Sequence, residues 1–501
     1  MQTNILEYLE ATAPRLPDKI AYSDGTDSLT FLQLSDYSRA LGSALHQKGY
    51  YHRPIAVLMK KHPEQIAAFY GCVYAGCFYV PLDIEMPTSR IELILQNANP
   101  CAIITDQKGS AIAQNLHFDG EILSAQALFQ NEINEVALQQ IRAKQIDTDP
   151  IYIVFTSGST GVPKGVIACH RSVIDYVEAL SAELGFSEES VFANQTPLFF
   201  DAPLKELMPV IKFGATAYLV PKKYFAFPMS LCDYLNKHKI NTVCWVVSAL
   251  TMISGMGLLE TNPPKHLTTI AFGSEVFPPS QYAMWRKAFP QAKFFNLYGP
   301  TEATGMSCVW SAVRELEEGE SVPIGHPFRN TDLMLIREDG TEAEEGEIGE
   351  IYLRGTCVTM GYYNDPARTD EAFVQNPLQN AYPERVYRTG DLAYRNARGE
   401  LVFVCRRDAQ IKHMGHRIEL GEIETAAQKC EGVNRACCLY DSIGSRIKLF
   451  YQGQSEKEIL TAYLREHLPK YMMPALICHL SGLPLTPNGK IDRRKLAEMN
   501  V

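Results

Sequence analysis

The chain has 501 residues, too many for a single hydrophobic core, so two or more domains are expected. Its composition, 46% hydrophobic and 21% charged, excludes low-complexity and fibrous classes. A formal net charge of -10 argues against a protein that grips nucleic acid by neutralising phosphates, and no apolar run is long enough for a membrane span.

The opening MQTNILEYLEATAPRLPDK has neither a basic segment nor a long apolar core, so it reads as an amphipathic first helix, not a secretion signal. Apolar runs of strand length then alternate with helical stretches: IAVLMK, KHPEQIAAFYGCVYAG, FYVPLD, and later AIIT and IYIVFT. That alternation predicts an α/β fold, with parallel sheets covered by helices. Over residues 318–404 the texture changes to short β-like pieces with turns, which predicts a compact β-rich, barrel-like subdomain. Helix and strand alternate again from Asp408 onward. The boundary is expected in the charged stretch Arg406-Arg407-Asp408, giving a large domain 1–405 and a small α+β domain 406–501. The 13 cysteines are scattered and form no CxxC pair, so reduced thiols in a cytoplasm are expected. Cys437 and Cys438 are expected in a strand, one of them packed inside.

Four pieces carry chemistry. The first is TSGSTGVPKG, from Thr156 to Gly165, directly after the strand-like IYIVF. Small hydroxylated residues and free backbone N–H groups suit a loop that wraps phosphate oxygens, and a lysine adds a point charge. It does not fit the Walker pattern, and read alone a flexible turn is the lesser alternative. The second is NLYGPTE, 296–302, where Gly-Pro forces a turn and presents Tyr298, Thr301 and Glu302 together. An aromatic can stack on a base, a hydroxyl can reach a phosphate, and a carboxylate can hold Mg²⁺. A plain turn with a solvated glutamate explains this piece as well. The third is YRTGDL, 387–392, followed by CRRDAQIK and GHRIELGEIE; a carboxylate at a strand end suits two ribose hydroxyls. The fourth, PNGKIDR at 487–493, says by itself only that a lysine stands on a turn.

Together, in this order, the four pieces resemble the adenylate-forming superfamily, above all the amino-acid adenylation domains of nonribosomal peptide synthetases and the D-alanine–carrier protein ligases. LTFLQL, AGCFYVPLDIEMPTSRI, GEIYLRGTCVTMGYYNDPARTDEAF and LPKYMMP extend the resemblance over nearly the whole chain; Cys405 departs from it, standing where the family usually has Gly. The resemblance implies a large AMP-binding domain of two αβ-sandwich subdomains plus the barrel-like piece, and a mobile lid hinged at Asp408. It implies that Thr156, Ser157, Gly158, Ser159, Thr160, Gly161 and Lys164 clamp the β- and γ-phosphates of ATP. Tyr298 would lie near adenine, Thr301 would contact the α-phosphate, and Glu302 would hold Mg²⁺. Asp391, with Arg406 beside it, would bind ribose. Lys490 would neutralise charge between the substrate carboxylate and the α-phosphate, as suits a reaction stabilised by positioned charge. The loop near Gly415 would replace Lys490 for a second, thiol step after rotation about Asp408.

Asp201 falls where amino-acid-activating relatives place the carboxylate that pairs with the substrate ammonium; capping of the helix that LKELMPVIKFG suggests is the alternative. By the same resemblance Ala202, Lys205, Trp245, Ile270, Phe272, Leu297, Gly305 and Met306 line the side-chain pocket. Trp245 and Phe272 leave little volume, which points to a small amino acid, while Lys205 could pair with a short acidic side chain. D-Alanine fits the volume, but Gly273 stands where D-alanine ligases commonly carry cysteine. The chain ends with NGKIDRRKLAEMNV, so the resemblance implies a stand-alone enzyme whose acceptor is the phosphopantetheine thiol of a separate carrier protein. A coenzyme A ligase for a small acid and a nucleotide-binding relative without turnover are the alternatives.

Overall fold

The computed structural model describes residues 2–158, 162–317, 320–407, 410–441, 444–484 and 491–499. Two large, mostly parallel sheets dominate it. In the seven-stranded sheet, Phe78–Asp83, Pro54–Met59, Ala102–Thr105 and Glu121–Ser124 run parallel in that order, and Pro150–Thr156 joins parallel to Phe78–Asp83. Lys164–Cys169 then returns antiparallel to Pro150–Thr156, and Gly361–Tyr362 closes that edge. The nine-stranded sheet is parallel from Lys293–Tyr298 through Thr269–Gly273, Thr242–Val246, Val191–Asn194 and Thr216–Leu219 to Ile20–Ser23.

Strands such as PIAVLM are buried along their whole length, because helices cover both faces of a parallel sheet. The helix Pro63–Tyr74 is buried over 11 of its 12 residues, which explains its apolar character all round. The β-like texture after 318 forms a five-stranded antiparallel sheet built on Thr331–Ile336, Gly349–Gly355, Phe373–Gln375, Arg385–Arg395 and Leu401–Arg406.

A two-stranded hairpin, Gln410–His413 with His416–Glu419, precedes a three-stranded sheet of Val433–Asp441, Arg446–Gly453 and Leu476–His479. The latter packs its own cluster of buried apolar side chains, drawn from Ile418 to Ile477. Cys437 and Cys438 lie in the strand Val433–Asp441, but both are buried; the sheet is covered on both faces, Cys437 by Leu483 and Leu496, Cys438 by the main cluster. Among the described residues no helix is long and apolar enough to cross a membrane.

Candidate active site

In α/β sheets ligands bind beyond the carboxyl ends of parallel strands. Here a cavity of about 70 Å³ lies at that edge of both large sheets. Thr156 ends one strand and Ser157 follows it; Thr196, Ser274 and the Gly299–Thr301 turn follow the ends of three strands of the other sheet. Of the residues singled out by sequence, the cavity wall brings together Thr156, Ser157, Asp201, Ala202, Thr301, Gly305, Met306, Asp391 and Arg406.

Glu302 sits beside this cavity, fully buried on the short helical turn Thr301–Ala303. Its Oε1 accepts the Tyr362 hydroxyl at 2.7 Å and lies 3.3 Å from Lys164 Nζ. Its Oε2 is 2.7 Å from Arg417 Nη1. Burial alone would push the carboxyl up, but Arg417 and then Lys164 outweigh it and hold it well below the ordinary range. Burial and the neighbouring Arg417 lower the Lys164 ammonium, against the pull of Glu302. Lys164 also donates to the Tyr362 hydroxyl at 3.1 Å, so it is turned onto Glu302. A Mg²⁺ ion demands near-octahedral oxygen ligands and keeps several waters. With both carboxylate oxygens engaged and two side-chain cations against them, these residues do not fit a metal in this arrangement.

Asp391 stands within the strand Arg385–Arg395, not at its end, directly across from Arg406 in the neighbouring strand. That register sets Arg406 Nη1 2.6 Å from Asp391 Oδ1, while the Tyr298 hydroxyl donates to Oδ2 at 2.5 Å. Lys412 Nζ lies 5.2 Å from the centre of the Tyr298 ring, which is itself buried.

Asp201 is 8% exposed. Burial raises its carboxyl; a hydrogen bond from Thr301 and the charge of Lys205 oppose that rise. The helix Leu204–Phe213 has Pro203 at its N-terminus and no side-chain cap, which removes the capping role for Asp201. Lys205, Trp245, Ile270, Phe272 and Leu297 do not line the cavity. Trp245 donates its indole N–H to Ala193 O at 2.6 Å and packs with Ile270 and Phe272 in a buried cluster behind the sheet, and Leu297 belongs to the neighbouring one. Ser159, Thr160, Gly161, Asp408 and Lys490 lie outside the described residues.

The hairpin 410–419 closes the cavity, and its guanidinium was not singled out by sequence. Ser157 Oγ donates to Arg417 O at 2.8 Å and accepts from Glu419 N at 3.3 Å. Gly415 N donates to Glu275 at 3.1 Å, and His416 stacks on Tyr471 at 3.8 Å. At Gly415, with φ of +78°, a Cβ would meet Val246 Cγ1 at 2.2 Å, so only glycine lets the hairpin tip approach this closely. Further out, Arg90 and Glu422 form a buried pair at 2.5 Å. Neither partner carries a local signal, since 332 positions separate them.

The family described as AMP-binding enzyme matches residues 9–363. Tyrocidine synthase 1 of Brevibacillus parabrevis is 30% identical over 99% of this chain, which spans only 45% of that protein. The D-alanine–D-alanyl carrier protein ligase of Bacillus cytotoxicus is 30% identical, with 98% of each chain covered. In fold, the chain is similar to the Vibrio cholerae adenylation domain AlmE, solved with glycyl-adenosine-5'-phosphate, with a TM-score of 0.85, 22% identity, and 100% and 98% of the two chains covered.

Proposed function

Because the chain belongs to the AMP-binding enzyme family and is an adenylate-forming ligase, we propose that it activates a small α-amino acid and passes it to the phosphopantetheine thiol of a separate carrier protein. In the first half-reaction a substrate carboxylate oxygen attacks the α-phosphorus of ATP and the bond to pyrophosphate breaks. In the second, the thiol sulfur attacks the acyl carbon, loses its proton, and AMP departs. The observation that carries the amino-acid reading is Asp201, a buried carboxylate on the cavity wall whose desolvation only a cation would fully offset. The substrate ammonium is that cation. Ala202, Gly305 and Met306 form the adjoining wall, and Trp245 and Phe272 fill the space behind it, which favours a small side chain. The carrier-ligase activity named for the Bacillus cytotoxicus relative and the glycyl adenylate bound by AlmE support the same reading.

Asp391 and Arg406 are proposed to receive the ribose, Tyr298 the adenine side of the nucleotide, Thr301 the α-phosphate, and the 156–164 loop the outer phosphates. Lys490 is proposed to serve the first half-reaction, with residues 406–501 turning about Asp408 so that the hairpin replaces it in the second. The arrangement described, with Gly415 on the cavity wall, suits the thiol step. Glu302 is held by Lys164 and Arg417 here, which leaves it no part in a metal-assisted step in this arrangement. The 13 free cysteines suit a reducing, cytoplasmic setting.

A short acidic side chain is the second reading, suggested by the type of Lys205, but that residue is 3% exposed, does not line the cavity, and its charge opposes the rise of the Asp201 and Glu206 carboxyls. Exchange of labelled pyrophosphate into ATP across the common L-amino acids, D-alanine, a fatty acid and a benzoic acid tests both. Preference for an acid without an amino group would refute the role of Asp201, and preference for a large aromatic amino acid would refute the small pocket. Product on free coenzyme A and none on a holo-carrier would refute the acceptor.

A further inference from the structure

We propose that Arg417 is a positioning residue that takes the Glu302 carboxylate in place of a divalent cation, so that seating of the 410–419 hairpin and metal binding at Glu302 exclude each other. The inference rests on the proposed function only in taking Glu302 as the metal-binding carboxylate.

Three observations carry it. First, the carboxylate is full. Tyr362 and Lys164 hold Oε1, Arg417 holds Oε2, and the residue has no exposed surface through which water could complete a metal's shell. A dication brought to Oε2 would face the guanidinium at close range in a dry site, where like charges repel most strongly. Second, Arg417 is delivered by its backbone. Ser157 bonds Arg417 O and Glu419 N, and Glu275 holds Gly415 N, so the guanidinium arrives at Glu302 whenever the hairpin seats. Third, the guanidinium does not sit there because every other bond is satisfied: Arg417 Nε is buried without a hydrogen-bond partner. What holds it at that cost is first the Glu302 charge, with a hydrogen bond to Tyr387 beside it.

The competition is doubled by Ser157. Its hydroxyl, in the loop proposed to wrap polyphosphate, is used by the seated hairpin. Metal and outer phosphates therefore lose their protein partners together when the hairpin arrives. Seating would follow departure of pyrophosphate with its metal, and free divalent cation would slow the thiol step.

Binding linkage is reciprocal: whatever weakens seating must tighten metal binding, and bound metal must loosen the hairpin. The test uses the full chain with the α,β-methylene analogue of ATP, reading Mn²⁺ affinity by electron paramagnetic resonance and amide hydrogen exchange over 410–419. Analogue without metal is the reference, so that phosphate effects at Ser157 are subtracted. We expect Mn²⁺ to accelerate exchange of 410–419 in the wild type. Arg417→Gln should bind Mn²⁺ about 10-fold more tightly, within the usual range of coupling between sites, and its exchange should no longer respond to metal. Glu275→Ala frees the hairpin tip while leaving Arg417 and Glu302 in place, and should also tighten Mn²⁺ binding.

Exchange of 410–419 that ignores saturating Mn²⁺ would overturn the proposal. So would tighter binding in Arg417→Gln but not in Glu275→Ala, which would reduce the effect to charge repulsion without seating. Equal Mn²⁺ binding by Glu302→Gln and the wild type would overturn it too. Should Arg417→Gln fail to fold, Glu275→Ala decides the matter alone. None of these readouts needs an amino acid, so a failed pyrophosphate-exchange panel refutes the substrate reading separately.

Discussion

Replacing Arg90 by leucine should separate the two half-reactions. Arg90, on the helix Thr88–Ala98, and Glu422, at the start of the helix Leu420–Gln428, are 6% and 5% exposed and meet at 2.5 Å. Removing one partner of such a pair leaves an uncompensated buried charge, at a cost of about 3–5 kcal/mol. Burial already raises the Glu422 carboxyl and Arg90 opposes that rise, so protonation would bring the cost toward the lower end. The strain exists only while the hairpin and its following helix are seated; in the rotation proposed above, Glu422 would leave Arg90 and meet water. The loss therefore falls on the seated arrangement, at about 100-fold for each 2.7 kcal/mol. The assay is single-turnover transfer from preformed adenylate to a holo-carrier, run beside pyrophosphate exchange. Arg90→Leu should slow transfer about 100-fold and leave exchange intact, and Arg90→Leu with Glu422→Leu should recover most of the transfer. Equal loss in both half-reactions, or no recovery in the double variant, would refute the reasoning.

Asp201→Asn keeps shape and removes charge; the lost charge-assisted bond, about 1.5–3 kcal/mol, should raise the amino-acid KM in pyrophosphate exchange with the KM for ATP unchanged. Gly415→Ala should slow transfer about 10-fold or more, since a positive φ costs a Cβ-bearing residue about 1–2 kcal/mol, and Val246→Ala in the same chain should restore part of it by removing the clashing methyls. His170 is fully buried, accepts the Ile5 N–H at 3.2 Å, and is pushed down from 6.5 to about 3, by burial first and Arg142 second. A depressed pKa means its stabilising contribution is complete above pH 6.5 and is lost as pH falls toward 3. In urea titrations at several pH values, His170→Gln should flatten the acid side of the stability profile; an unchanged slope would assign it to other groups.

The alternation of apolar runs and helical stretches was enough to read an α/β fold, because strands covered on both faces are apolar throughout. It could not give strand order: Ile20–Ser23 pairs with Thr216–Leu219 across nearly 200 positions, and no local pattern encodes that choice. The Thr156–Lys164 piece, Thr301, Glu302 and Asp391 could be singled out because glycines, turns and isolated charges mark them, and Asp201 through the family resemblance. What those side chains touch was not legible. Lys164 turned out to face Glu302, and Trp245 found its hydrogen bond inside the core, at Ala193 O, where the family resemblance suggested a pocket wall. Arg417 and Tyr362 sit in pieces of sequence quoted for family likeness, yet their joint hold on Glu302 depends on a fold that brings positions 164, 302, 362 and 417 together.

The clusters of buried apolar side chains in the described residues fall on one side or the other of residues 406–410; none spans that line. What crosses it is mostly polar: Arg90 with Glu422, Ser157 and Glu302 with Arg417, Glu275 with Gly415, beside the Phe200–Tyr471 ring contact. Unfolding carries a large heat-capacity change because it exposes apolar surface. Parting this join exposes little, so the balance between its open and closed forms should be nearly flat with temperature while the fold itself follows a steep dome. Nor should salt shift it much, because its two charged pairs, Arg90–Glu422 and Arg417–Glu302, are buried, where ions screen little.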